Sequence, residues 1–79
     1  MEKIYTAYKM DYSWDLDMEN LGSEFVAFEV KDKEPYNYVF AAKKDGIAYI
    51  IPMTIGNMSV DYFLKDINRA KKNNGIEWK

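Results

Sequence analysis

Residues 36–53, YNYVFAAKKDGIAYIIPM, decide the fold. Two runs rich in Tyr, Val, Phe and Ile meet at Asp45-Gly46. Asp-Gly suits the positive φ angles of a type I′ turn, whose twist matches that of two antiparallel strands. With that turn, Lys44 opposes Ile47, Ala42 opposes Tyr49 and Phe40 opposes Ile51. Side chains alternate along a strand. Tyr38, Phe40, Tyr49 and Ile51 therefore share one face, and Val39, Ala41, Ala48 and Ile50 the other. A three-residue turn with a bulge would shift this pairing. Pro52 has no N–H to donate and marks an edge or the end of its strand.

The flanks extend the pattern. KIYTAYKM at 3–10 is rich in Tyr, Ile and Thr and reads as a strand. EFVAFEVK at 24–31 sets Val26, Phe28 and Val30 against Phe25, Ala27 and Glu29, a second strand. KDKEP at 31–35 is a charged turn. Residues 59–73 read as a helix: Val60, Phe63, Leu64, Ile67 and Ala70 form one apolar stripe at helical spacing. Ser59 is suited to cap its first turn. Asp61 near the start and Lys71 and Lys72 near the end match the helix dipole. Asn73-Asn74-Gly75 supplies a left-handed stop. IEWK at 76–79 is a short strand or a tail pinned by Trp78. The chain thus reads β–β–β–β–α: a single α+β domain over 1–79. Its sheet is an antiparallel meander of about four strands, with the C-terminal helix packed on one face.

Composition narrows the function. With 48% hydrophobic and 30% charged residues the chain can form a core and is not of the disordered class. Cysteine and histidine are both absent. That removes disulfides, thiolate zinc sites, cysteine nucleophiles and the commonest general base. A small Cys-free chain without a signal-like apolar segment at its start points to the cytoplasm. IAYIIPM at 47–53, the longest apolar run, is too short to span a bilayer. The four glycines are not clustered, so there is no phosphate loop, and no serine has a histidine to activate it. The expectation is a non-enzymatic protein with no cofactor and no catalytic residues.

One segment stands apart: MDYSWDLDMENLG at 10–22. Asp15-x-Asp17-x-Glu19 resembles the opening of a calcium loop. Such a loop needs Gly at its sixth position and Glu at its twelfth, and here these are Asn20 and Val26. No metal site is expected. Tyr12, Trp14, Leu16 and Met18 alternate with Ser13, Asp15, Asp17 and Glu19, the pattern of a strand with one dry and one acidic face. The expectation is an extended continuation of the first strand. The alternative is a short helix capped by Ser13 and closed by Gly22.

Charge is segregated around this segment. Residues 11–35 hold eight acids and two bases, whereas residues 36–79 hold four acids and seven bases. A one-sided acidic surface attracts basic partners. Asp11, Asp15, Asp17 and Glu19, with Trp14 as anchor, are the candidate partner-binding residues. The simpler role for the same charges is a solvated edge that resists edge-to-edge pairing.

Seven tyrosines raise a second possibility, an aromatic interface on the sheet face that the helix leaves uncovered. With Lys43, Lys44 or Arg69 it could also serve a nucleotide-like ligand between copies of a homo-oligomer. Direct nucleic-acid binding is disfavoured by the net charge of −2. A small, acidic, Tyr-rich, Cys-free chain resembles in composition the inhibitors that phages and mobile elements make. The favoured partner is thus a host nucleic-acid-handling or defence protein with a basic surface, and no membrane.

Overall fold

In a computed structural model of the chain, residues 5–79 are described. They form β1 (Tyr5–Lys9), β2 (Val26–Glu29), β3 (Tyr38–Lys44), β4 (Ile47–Met53), α1 (Val60–Lys72) and β5 (Ile76–Trp78). The strands make one sheet in the order β2-β3-β4-β1-β5. The expected fold class, α+β with the C-terminal helix on one sheet face, is what the chain adopts. Residues 3 and 4 of the expected first strand lie outside the described residues.

The hairpin forms as the Asp-Gly turn requires. Asp45 and Gly46 both have positive φ, 54° and 81°, and the register pairs Lys44 with Ile47, Ala42 with Tyr49 and Phe40 with Ile51. β2 adds to β3 antiparallel, with Val26 opposite Ala41 and Phe28 opposite Val39. The sheet departs from a sequential meander at β1. This strand lies beside β4, with Tyr8 opposite Ile50, and its other edge takes β5 in parallel. Burial accounts for the order. β1 carries Tyr5 and Ala7, which are 5% and 0% exposed and need neighbours on both sides. β2 leaves Val26 43% exposed and stays at the edge.

The helix face holds the larger core. Phe40, Ala42, Tyr49 and Ile51 of the hairpin meet Tyr5, Ala7, Phe25, Ile67 and Ile76. Val60, Phe63, Leu64 and Ala70, the rest of the helix stripe, pack around them. The Ser59 hydroxyl accepts from the Tyr62 N–H at 3.1 Å and caps α1. At the far end Asn74 takes the left-handed position with φ 58°. The Gly75 N–H then donates back to the Ala70 carbonyl at 2.6 Å, and the Asn74 N–H to that of Lys71 at 3.4 Å. This pair of bonds is a Schellman closure. Gly75 suits the close approach: a Cβ there would lie a tight 3.1 Å from the Ala70 carbonyl oxygen.

IEWK is both a strand and an aromatic pin. The Tyr5 N–H donates to the Gly75 carbonyl at 2.9 Å and the Lys79 N–H to that of Ala7 at 2.8 Å. Trp78 stacks on Phe25 with ring centroids 5.8 Å apart and meets Tyr49 edge-on at 4.9 Å.

Two asparagines hold loops by imitating a backbone pair. Asn68 Oδ1 accepts from the Phe25 N–H at 2.7 Å while its Nδ2 donates to the Phe25 carbonyl at 3.3 Å. Asn37 does the same for Ile55, at 2.8 and 3.1 Å. A third tie joins β1 to α1. The Tyr5 hydroxyl donates to Asp66, whose other oxygen accepts from Arg69 at 2.6 Å. Burial, then the hydrogen bond to Asp66, pushes the Tyr5 hydroxyl well above the usual phenol range.

Two outcomes follow. Asn68→Ala leaves the backbone of buried Phe25 unpaired and should cost about 1–3 kcal/mol, read as a lower urea midpoint at unchanged slope. For Tyr5, the folded protein holds the hydroxyl proton more tightly than the unfolded chain does. The resulting stability is therefore complete below the unfolded pKa of about 10 and is lost as pH rises through the higher folded value. The stability difference between the wild type and Tyr5→Phe should shrink steadily above that pH in urea titrations.

Candidate functional site

Topology sets the distance that the acidic segment has to bridge. β1 and β2 are consecutive in sequence but three inter-strand steps apart in the sheet, roughly 14 Å. The connecting chain, residues 10–25, must cross β4 and β3, and it crosses on the face opposite α1. Met10, Trp14, Leu16, Met18 and Leu21 pack there on Val39, Ala41 and Ile50, together with Phe28 and Val30 of the second strand segment. The second face is therefore covered by this loop.

Locally the segment is neither strand nor helix, which corrects the expected extension of the first strand. The last ladder bond is from the Met10 N–H to the Ala48 carbonyl, 3.0 Å. Aspartates then pull the backbone into tight turns, since a short carboxylate competes well for nearby N–H groups. Asp11 Oδ1 accepts from the Ser13 N–H at 2.8 Å and also from its hydroxyl. The bonds from the Ser13 hydroxyl and then its N–H hold the Asp11 carboxyl below the usual range. Asp17 Oδ1 accepts from the Glu19 N–H at 3.2 Å. The Lys43 N–H, donating to the Gly22 carbonyl at 2.9 Å, anchors the far end.

From Trp14 to Glu19 the alternation survives without the strand, whereas Tyr12, expected on the dry side, is fully exposed. Trp14, Leu16 and Met18 are half-buried on the sheet, and Asp11, Asp15, Asp17 and Glu19 are exposed. Among the described residues, the ion pairs are Asp66–Arg69 and Glu77–Lys79, so none of these four carboxylates is engaged in one. Nor do three acidic groups anywhere among the described residues converge as metal ligands would.

Trp14 has two roles. It covers the second face, and it lines a cleft of about 330 Å³ between residues 13–16 and 29–33. Lys33 Nζ lies 5.5 Å from the centre of the indole, and the Tyr36 ring 6.4 Å from it. A smaller hollow of about 140 Å³ continues along β2, bounded by Asp17, Asn20, Leu21, Val26 and Phe28. The far wall of this groove, Glu29 to Lys33, escaped sequence reasoning. Its charged KDKEP turn marked a bend but not what the bend would face.

The tyrosines do not assemble into an aromatic face. Tyr5, Tyr38 and Tyr49 belong to the helix-side core, while Tyr8, Tyr12, Tyr36 and Tyr62 are exposed in separate places. Of the cations considered with them, Arg69 is held by Asp66, and Lys44 sits over Trp78 at 5.0 Å. Among the described residues, no helix is long and apolar enough to cross a membrane.

The two sides of the segment should separate by mutation. Trp14→Ala removes cover from the second face and should cost about 1–3 kcal/mol in urea unfolding. Asp15→Asn or Glu19→Gln should stay within about 0.5 kcal/mol of the wild type in the same assay. Comparison with protein-family models, with curated proteins and with solved structures finds no match to this chain.

Proposed function

We propose that the protein is a non-enzymatic binding module that lays its acidic segment on a basic surface of another protein. One observation carries this reading: Asp15, Asp17 and Glu19 point to solvent in a row, unpaired with any described cation, while the residues between them are packed on the sheet. Charges held this way lose little freedom on docking, which favours association. The surrounding charge of the same sign speeds encounter with a basic partner and disfavours acidic ones.

The partner class that fits is a nucleic-acid-handling protein, whose binding surface is basic because its ligand is phosphate. Covering that surface would inhibit it, in the manner of the phage and mobile-element proteins this chain resembles in composition.

The test compares the wild type with a triple charge reversal, Asp15→Lys, Asp17→Lys and Glu19→Lys. Each is used to capture partners, and the captured protein is then purified and assayed for nucleic-acid binding. The wild type should capture a basic protein and block its nucleic-acid binding. The reversal should do neither, while keeping its urea midpoint. Equal capture and equal blocking by both at about 0.15 M salt, where the Debye length is about 8 Å, would remove the acidic segment from the interface.

A further inference from the structure

β2 is an edge strand, and its ladder phase says which backbone groups are open. The Val30 N–H donates to the Asn37 carbonyl at 3.0 Å. In an antiparallel pair the bonded residues alternate. Val26, Phe28 and Val30 therefore direct their backbone groups at β3, and Phe25, Ala27 and Glu29 direct theirs outward. The groups of Phe25 are taken by Asn68. Those of Ala27 and Glu29 have no partner among the described residues.

Proteins usually guard such an edge with lysine, proline or a bulge. Here the second-face residues of the edge are Val26, which is 43% exposed, and Phe28, which is half-buried. The cleft and the hollow run beside them, with an apolar floor and with four carboxylates, Asp15, Asp17, Glu29 and Asp32, against two lysines, Lys31 and Lys33, along the walls, a net negative lining.

We infer that the outer edge of β2 accepts an extended, lysine- or arginine-rich segment of the partner protein as a sixth strand. This rests on the docking function proposed above and specifies how the partner is held. The open N–H and C=O groups of Ala27 and Glu29 supply the ladder bonds. Alternate side chains of the added strand enter the groove, apolar stems on the floor and cationic ends at the carboxylates. Charge complementarity selects this occupant over a second copy. Two copies joined edge to edge would bring both sets of carboxylates together, and like charges opposed across strands are destabilising.

The probe is a capped peptide of sequence KVKVKVK, with amide exchange of the full-length protein followed by NMR. At about ten times its Kd the peptide should slow exchange at Ala27 and Glu29 about tenfold, leaving Val26 and Phe28 unchanged. The same peptide N-methylated throughout keeps its charge but cannot donate, and it should not bind. The reversal of Asp15, Asp17 and Glu19 should weaken binding of the unmodified peptide. Binding without protection of Ala27 and Glu29, or equal binding by the N-methylated peptide, overturns strand addition while leaving the acidic docking function standing. Equal protection in the charge-reversed protein overturns the basic character of the occupant. No binding at about 1 mM overturns strand addition too, and the capture comparison then judges the docking function separately. Protection of Ala27 and Glu29 in the concentrated free protein would show that a second copy holds the edge, and would also overturn it.

Discussion

The crossing of residues 10–25 over the sheet is the constraint on which the rest of the structure depends. A five-stranded sheet with one helix has a second apolar face, here Val39, Ala41 and Ile50, and exposing it would forfeit about 25 cal/mol for each Å² left in water. The chain meets this need with a loop instead of a second helix. Because β1 sits beyond β4 and β2 beyond β3, the loop has to span both hairpin strands, and here it does so over that face. Its Trp14, Leu16, Met18 and Leu21 turn the crossing into a cover. The acidic residues between them follow as a consequence: every second side chain of a covering segment must face water.

A loop used as a structural layer needs its ends fixed, since irregular backbone lacks a ladder of its own. Two ties fix its far end. Lys43 holds Gly22 through a backbone bond, and Asn68 holds Phe25 from the helix. Asn37 performs the same service for Ile55 at the entry to the helix. The two asparagines present an N–H donor and a carbonyl acceptor in one plane, so each substitutes for a residue of an adjacent strand. The helix itself is joined to β1 through Tyr5 and Asp66. Loop, helix and sheet are thus coupled by a few hydrogen bonds at places where apolar packing alone would not set register.

The polarity of the molecule follows from this arrangement. Carboxylates gather on the loop side and along β2, while Lys44 and Lys71 border a cleft at the C-terminal end of the helix, beside Trp78. Solvated carboxylates contribute little to folding. Their spacing on a packed segment matters more for what approaches from outside, because fixed charges act without first being ordered. The open edge of β2 lies on the same side, so directional backbone groups and diffuse charge converge on one surface.

Much of the fold was legible in short stretches. Asp45-Gly46 determined the hairpin and its register, because few dipeptides accept two positive φ angles in succession. The stripe from Val60 to Ala70 and the Ser59 cap determined the helix, since both are local in sequence. The alternation separated wet from dry side chains from Trp14 to Glu19 but misplaced Tyr12, which is fully exposed, because Asp11 and Asp17 made turns where a ladder was expected. Tertiary structure decided what no local pattern carries: that β1 pairs with β4 and β5, that the tyrosines scatter, and that Glu29–Lys33 faces Trp14 across a cleft. The physical reason is range. Turn, cap and stripe preferences act over a few bonds and are written in adjacent residues. Strand order and the walls of a groove depend on which apolar surfaces find each other once the whole chain has collapsed.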